Sequence, residues 1–155
     1  MPKTNAVRIL ESKRIEFDLI EYEFDDDELD ALSVAKKIPA NPETVFKTLV
    51  ARGDKSGINV FVVPGNFELN LKKAAAASGN KKAELIKVKE LLPLTGYVRG
   101  GCSPVGMKKN FPVFIDETAQ LFEKIYVSAG VRGMQIFISP SDLQNICGGE
   151  FYDLI

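Results

Sequence analysis

The stretch from Thr95 to Lys109, TGYVRGGCSPVGMKK, constrains the fold more than any other part of the chain. It holds four glycines, a Ser-Pro pair and three cations in fifteen residues. Glycine loses the most backbone freedom on folding and proline removes a donor, so a regular helix or strand does not accept this composition. Such a segment belongs where backbone comes close to something: a phosphate, an adenine ring or a carbonyl oxygen would all fit. An ordinary loop between strands fits the same residues.

The chain has 155 residues, the usual size of a single domain, and residues 1–155 read as one unit. Its 45% hydrophobic and 26% charged content is that of a globular protein. It contains no apolar run near the ~18 residues that cross a bilayer. Met1 to Asn5 lead into an amphipathic stretch rather than the apolar core of a signal peptide. The expectation is a cytoplasmic protein without a membrane partner. There is no histidine, which removes the commonest general base, the Ser-His and Cys-His pairs, and every His-containing zinc site. The two cysteines, Cys102 and Cys147, form no close pair and cannot make a four-cysteine zinc site. No P-loop or Rossmann fingerprint is present. The expectation is therefore no metal and no cofactor, with any catalysis drawn from lysine, carboxylates, hydroxyls, backbone amides or the substrate. Charge is unevenly spread: residues 1–45 carry a net −5, residues 46–110 a net +8 and residues 111–155 a net −4. The basic middle third contains the glycine stretch, as a site for a phosphate-bearing partner would, and as a solvated lysine-rich face would too.

Hydrophobic periodicity and capping residues place the elements. Thr4 caps a helix to about Lys13. Ile15 to Tyr22 alternates as a strand, followed by the acidic stretch Phe24 to Asp30. A short helix over 32–37 stops at Pro39 and Pro42. Val45 to Val50 and Ile58 to Val63 are strands around a turn at 52–57. Asn70 caps a helix over 71–78, closed by Gly79. Ala83 to Lys87 is a short strand, and Lys89 to Leu92 a helical turn before Pro93. Phe111 to Ile115, Ile125 to Ala129 and Met134 to Ile138 are strands. Ser139 to Asp142 cap a last helix through Ile146, and 151–155 is a tail. These elements do not alternate as βαβα, so the expected class is α+β, with a mixed or antiparallel sheet of about six or seven strands and packed helices.

Lys47 stands inside the apolar strand VFKTLV, where an amine either snorkels to the rim or points at an anion. Strand alternation puts Lys47 and Leu49 on one face and Phe46 and Thr48 on the other. Ser128 precedes the turn Gly130-Val131-Arg132-Gly133, which offers backbone and one cation, or a plain hairpin. Tyr22 and Phe24 line a pocket or pack in the core. Cys102 has no activating neighbour in sequence beyond Lys108 and Lys109.

The segments VFKTLV, LNLKKAAAASGNKK, TGYVRGGCSPVGMKK and IYVSAGVRG, in this order over most of the chain, resemble the YbaK/EbsC family. Its members are small aminoacyl-tRNA deacylases related to the editing domain of bacterial prolyl-tRNA synthetase. The resemblance implies a YbaK-like fold and a trans-editing enzyme that acts on Cys-tRNA(Pro), or on Cys-tRNA(Cys), with prolyl-tRNA synthetase as a partner. It implies that Lys47 is the functional lysine and that Gly100 and Gly101 supply backbone to the aminoacyl ester. Ser128 and Gly130 would form a second wall, and Tyr22 an aromatic near the pocket. Thr48, Ser103 and Arg132 complete the implied substrate-binding set, with Lys72, Lys73, Lys81, Lys82, Lys108 and Lys109 along the tRNA backbone. In the cysteine-specific members the substrate's own thiol attacks its ester, so the enzyme needs no histidine. An alanine-specific deacylase with a positioned water, or a non-catalytic tRNA- or nucleotide-binding module, would use the same fold. Many members carry a histidine before the short second helix; this chain has FDDDELDALSVA there.

Overall fold

A computed structural model describes residues 3–155. Among the described residues there are five α-helices, and eight strands form two sheets. The α+β expectation holds, with one strand more than the sequence pattern suggests. The first sheet has the order β1 (Asp18–Glu21), β7 (Met134–Ile138), β6 (Ile125–Ser128), with both pairings antiparallel. The second has the order β4 (Ala83–Leu85), β2 (Phe46–Gly53), β3 (Gly57–Pro64), β5 (Val113–Asp116), β8 (Glu150–Tyr152). It is mixed: β2 pairs antiparallel with β3 and β4, while β3–β5 and β5–β8 are parallel. A bridge from Val45 to Tyr126 joins the two sheets.

Local chemistry explains most elements. In α1 (Asn5–Ser12) the Thr4 hydroxyl accepts from Val7 N at 3.1 Å and donates to Ala129 O at 2.6 Å, so one side chain caps the helix and ties it to the end of β6. Ala6, Val7 and Leu10 bury the inner stripe. α2 (Ala31–Lys37) begins at Asp30, whose carboxylate accepts from Ser33 N. α3 (Leu71–Ala77) is capped by Asn70, and α5 (Pro140–Cys147) by Ser139, with Pro140 at the first position.

Four expectations need correction. The helical turn before Pro93 is instead α4 (Val88–Thr95), with Pro93 inside it. The bond that proline removes is offset at the helix end, where Thr95 Oγ1 donates to Leu91 O and Gly96, at φ 83, closes the last turn. β2 runs on to Gly53 rather than ending at Val50. The extension pairs with β3 on one side and β4 on the other; Asn80 Oδ1 accepts from Lys55 N and Ser56 N in the turn beyond it, and a Cβ on Gly53 would lie 2.1 Å from the Asn80 amide nitrogen. The expected tail at 151–155 includes β8, a three-residue parallel strand. The strand expected from Ile15 starts only at Asp18, after Arg14 turns the chain at φ 56.

The core lies between the sheets, α1 and α5, and includes Leu10, Phe46, Val50, Ile115, Ile125, Ile136 and Leu143. A second cluster, with Ala51, Phe61, Val63, Phe114 and Leu154, covers the other face of the five-stranded sheet. That sheet is therefore buried on both sides, which suits its parallel pairs. Among the described residues no helix is long and apolar enough to cross a membrane.

Candidate functional site

Where β2 passes the ends of β6 and β7, the structure leaves a cavity of about 510 Å³. Its walls come from β2 (Phe46, Lys47, Thr48), from Ser128 and Gln135, from the loop residues Arg99, Gly100 and Cys102, and from Leu29 and Asp30. Leu85 at the end of β4, with Val88 and Leu91 of α4, forms an aliphatic rim beside Lys87. Both sheets and the glycine stretch thus meet here, with polar groups on one part of the wall and apolar groups on another.

Strand alternation divides β2 as the sequence suggests. Phe46 and Val50 enter the core between the sheets, whereas Leu49 and Ala51 join the outer cluster. Lys47 is half-buried, and its amine donates to Gly65 O at 3.5 Å, the outer limit of a hydrogen bond. Burial pulls its pKa below the usual lysine range, while Glu68 and Asp30 push the other way. Asp30 is itself held below the usual carboxylate range, chiefly by its hydrogen bond from the Ser33 hydroxyl. It stays ionised at neutral pH and is a weak base. Cys102 is buried, and desolvation pushes its thiol up to about 12. It is therefore protonated and inert at neutral pH.

The glycine stretch wraps around Tyr97, whose hydroxyl donates to Val105 O at 2.6 Å. Gly100, at φ 84, brings its backbone against Leu29; a Cβ there would lie 3.0 Å from the leucine. Gly101 does not face the cavity. Its N–H donates to Val98 O at 2.9 Å, and its Cα packs against the backbone of Val131 and Arg132. Ser103 is fully buried, and its hydroxyl accepts from Val105 N within the loop. Ser128 lines the cavity, and Gly130 N donates to its hydroxyl at 3.2 Å.

Of the expected binding residues, the cavity therefore gathers Lys47, Thr48, Gly100 and Ser128. Tyr22 and Arg132 line a second, more open cavity with Phe24 and Val131. Arg132 Nε donates to Arg99 O at 2.9 Å, and its guanidinium meets Asp26 at 3.4 Å. None of Lys72, Lys73, Lys81, Lys82, Lys108 and Lys109 lines either cavity. Lys73 is committed to Asp153 and to the Ile155 carbonyl. The cations beside Lys47 are instead Lys87 and Arg99. Gln135, Leu29 and the α4 residues were not singled out by sequence reasoning. Gln135 had one available signal, a polar residue at an inward position of the strand MQIFI. Among the described residues no cluster of histidine, cysteine and carboxylates has the geometry of a metal site.

These features can bind and orient an ester and stabilise negative charge on its oxygen, while the Cys102 thiol is held protonated and Asp30 is a weak base. The sequence model of the aminoacyl-tRNA editing domain matches residues 27–146. The chain is 47% identical, over 98% of its length and 93% of the relative's, to EbsC of Enterococcus faecalis, named as a candidate Cys-tRNA(Pro)/Cys-tRNA(Cys) deacylase. It is 29% identical over 64% of its length to a proline–tRNA ligase of Shouchella clausii, covering 17% of that chain. A crystal structure described as a candidate trans-editing enzyme for prolyl-tRNA synthetase superposes with a TM-score of 0.84 at 25% identity, covering 99% of this chain and 98% of the other.

Proposed function

The chain belongs to the aminoacyl-tRNA editing domain family, and from that premise we propose that residues 1–155 act as a free-standing deacylase that clears cysteine from mischarged Cys-tRNA(Pro). Cysteine and proline are close in size, and a synthetase pocket separates such ligands poorly, which leaves the error to a second site. The likeness to part of a proline–tRNA ligase supports prolyl-tRNA synthetase as the source of the substrate and as the partner, and with it a cytoplasmic site of action.

The observation that carries the mechanism is the pairing of a partly buried lysine with the absence, among the cavity-lining residues, of a thiolate or an available base. Cys102 is held protonated, and Asp30 is engaged at the start of α2. The nucleophile then comes from the substrate. Its side-chain sulfur attacks the ester carbonyl, a C–S bond forms, the bond from carbonyl carbon to ribose oxygen breaks, and the thiol proton ends on that ribose oxygen. The products are a cyclic thiolactone, which water opens, and free tRNA. Lys47, with backbone at Gly100, stabilises the oxyanion as it forms. Holding sulfur and carbonyl in contact supplies the remainder, since a well-oriented intramolecular attack is worth on the order of 7–11 kcal/mol.

The test is a deacylation panel with Cys-, Ala-, Ser- and Pro-charged tRNA(Pro). Cysteine should be released fastest and proline spared. Faster release of alanine than of cysteine would replace the thiol mechanism with one that uses a positioned water.

A further inference from the structure

Two residues that line the cavity, Thr48 and Gln135, each carry a side-chain oxygen, Oγ1 and Oε1, with no hydrogen-bond partner among the described residues. Both atoms are buried, and Gln135 as a whole is only 5% exposed. They come from different sheets. Thr48 stands on the face of β2 that carries Phe46 and Val50, and Gln135 stands on β7 directly across from Ser128 of β6. Buried side-chain acceptors are nearly always satisfied, and each exception asks for an explanation. Two exceptions on residues that line one cavity from separate sheets have a common explanation in a ligand that brings the donors and is met by small rotations of the two side chains.

We infer that Thr48 Oγ1 and Gln135 Oε1 form the subsite for the α-amino group of the esterified amino acid. The inference rests on the reading of the chain as an aminoacyl-tRNA deacylase. The substrate brings few candidate donors to this end of the cavity. Its thiol is a weak donor and is committed to the carbonyl. A ribose hydroxyl offers a single hydrogen. Within the aminoacyl moiety the primary amino group alone has enough hydrogens to serve two acceptors at once. An α-amino group also titrates close to neutrality, at about 7.7–8.0 in peptides. An amide and a hydroxyl accept from its charged and neutral forms alike.

The test uses two amide-linked compounds that cannot be deacylated: cysteine joined to 3′-amino-3′-deoxyadenosine, and the same compound with 3-mercaptopropionate replacing cysteine. They differ only in the amino group. Calorimetry should show the amine-bearing compound binding wild-type protein at least about tenfold more tightly, a difference of about 1.4 kcal/mol. Gln135→Leu and Thr48→Val should each shrink that ratio towards one while leaving the affinity for the mercaptopropionyl compound unchanged, as a double-mutant cycle requires. Equal or absent binding of both compounds by the wild type would overturn the subsite. So would a ratio that survives in Thr48→Val and Gln135→Leu proteins whose melting temperatures match the wild type. Should Gln135→Leu fail to fold, the wild-type ratio and Thr48→Val still decide. Selective binding of the amine-bearing compound together with intact Cys-tRNA(Pro) would sink the deacylase reading and leave the subsite standing.

Discussion

Lys47 is a residue the fold tolerates rather than needs. Its hydrogen bond to Gly65 O is marginal at 3.5 Å, and burial disfavours its charged form. The unfolded chain therefore binds that proton more tightly than the native state. Stability carries the full penalty below the folded pKa, and the penalty fades as pH rises towards the ordinary lysine value of about 10.4. Lys47→Met should accordingly keep or raise the melting temperature at neutral pH, and the difference from wild type should narrow in alkali. Deacylation of Cys-tRNA(Pro) should fall on the order of a hundredfold to a thousandfold, the usual cost of losing one oxyanion donor. A melting temperature that falls along with activity would make Lys47 structural. Cys102 is the reverse case: it draws attention in the sequence but has a thiol pushed up to about 12. Cys102→Ala should retain turnover to within a few fold, measured in the same assay. Lys47 was legible because an amine inside VFKTLV contradicts its apolar neighbours. Gln135 was not, because one polar residue in a strand does not reveal whether a partner waits across the sheet.

Gly130 links two elements, the turn after β6 and the glycine stretch. It sits at φ 105, and a Cβ there would lie 2.8 Å from the Tyr97 ring, whose hydroxyl anchors Val105. Gly130→Ala combines an unfavourable backbone conformation with a steric push, and it should cost about 1–3 kcal/mol in urea unfolding. It should also lower turnover, because Tyr97 holds the loop that carries Gly100. Gly57 provides the control: at φ 73 a Cβ would meet nothing within 4 Å. Gly57→Ala should cost about 1–2 kcal/mol from the left-handed backbone and leave turnover intact. Equal losses of activity in the two variants would dissociate Tyr97 from the site. At this scale the caps Thr4, Asn70 and Ser139 were readable, since each signal lies within four residues of its helix. β8 and the extension of β2 were not. The first rests on parallel pairing with β5, some 35 residues away in sequence. The second pairs with β4, some 30 residues on, as well as with β3, and its turn is held by Asn80, more than 20 residues away.

Over the whole molecule the basic middle third proves uneven in its placement. A count of charges by segment suggests a lysine-rich surface, yet it does not say which lysines share a face. The folding of α3, β4 and the glycine stretch puts Lys87 and Arg99 at the cavity with Lys47, while Lys73 is turned away to Asp153 and the Ile155 carbonyl. Asp30, beside Leu29, gives the same cavity one acidic flank. An RNA end entering it would therefore meet cations on the side of α4 and the glycine loop. The acceptor end of a tRNA is single-stranded, and each phosphate neutralised there contributes about 0.7 to the slope of log affinity against log salt. Lys87→Ala and Arg99→Ala should each weaken binding of charged tRNA by a similar factor whatever the attached amino acid, and each should reduce the salt slope by about 0.7. Lys73→Ala should change neither. Filter binding across a salt series with Cys- and Ala-charged tRNA(Pro) measures both quantities. An unchanged slope in both cavity variants would move the RNA path off this face, towards lysines such as Lys108 and Lys109 that lie outside the cavity.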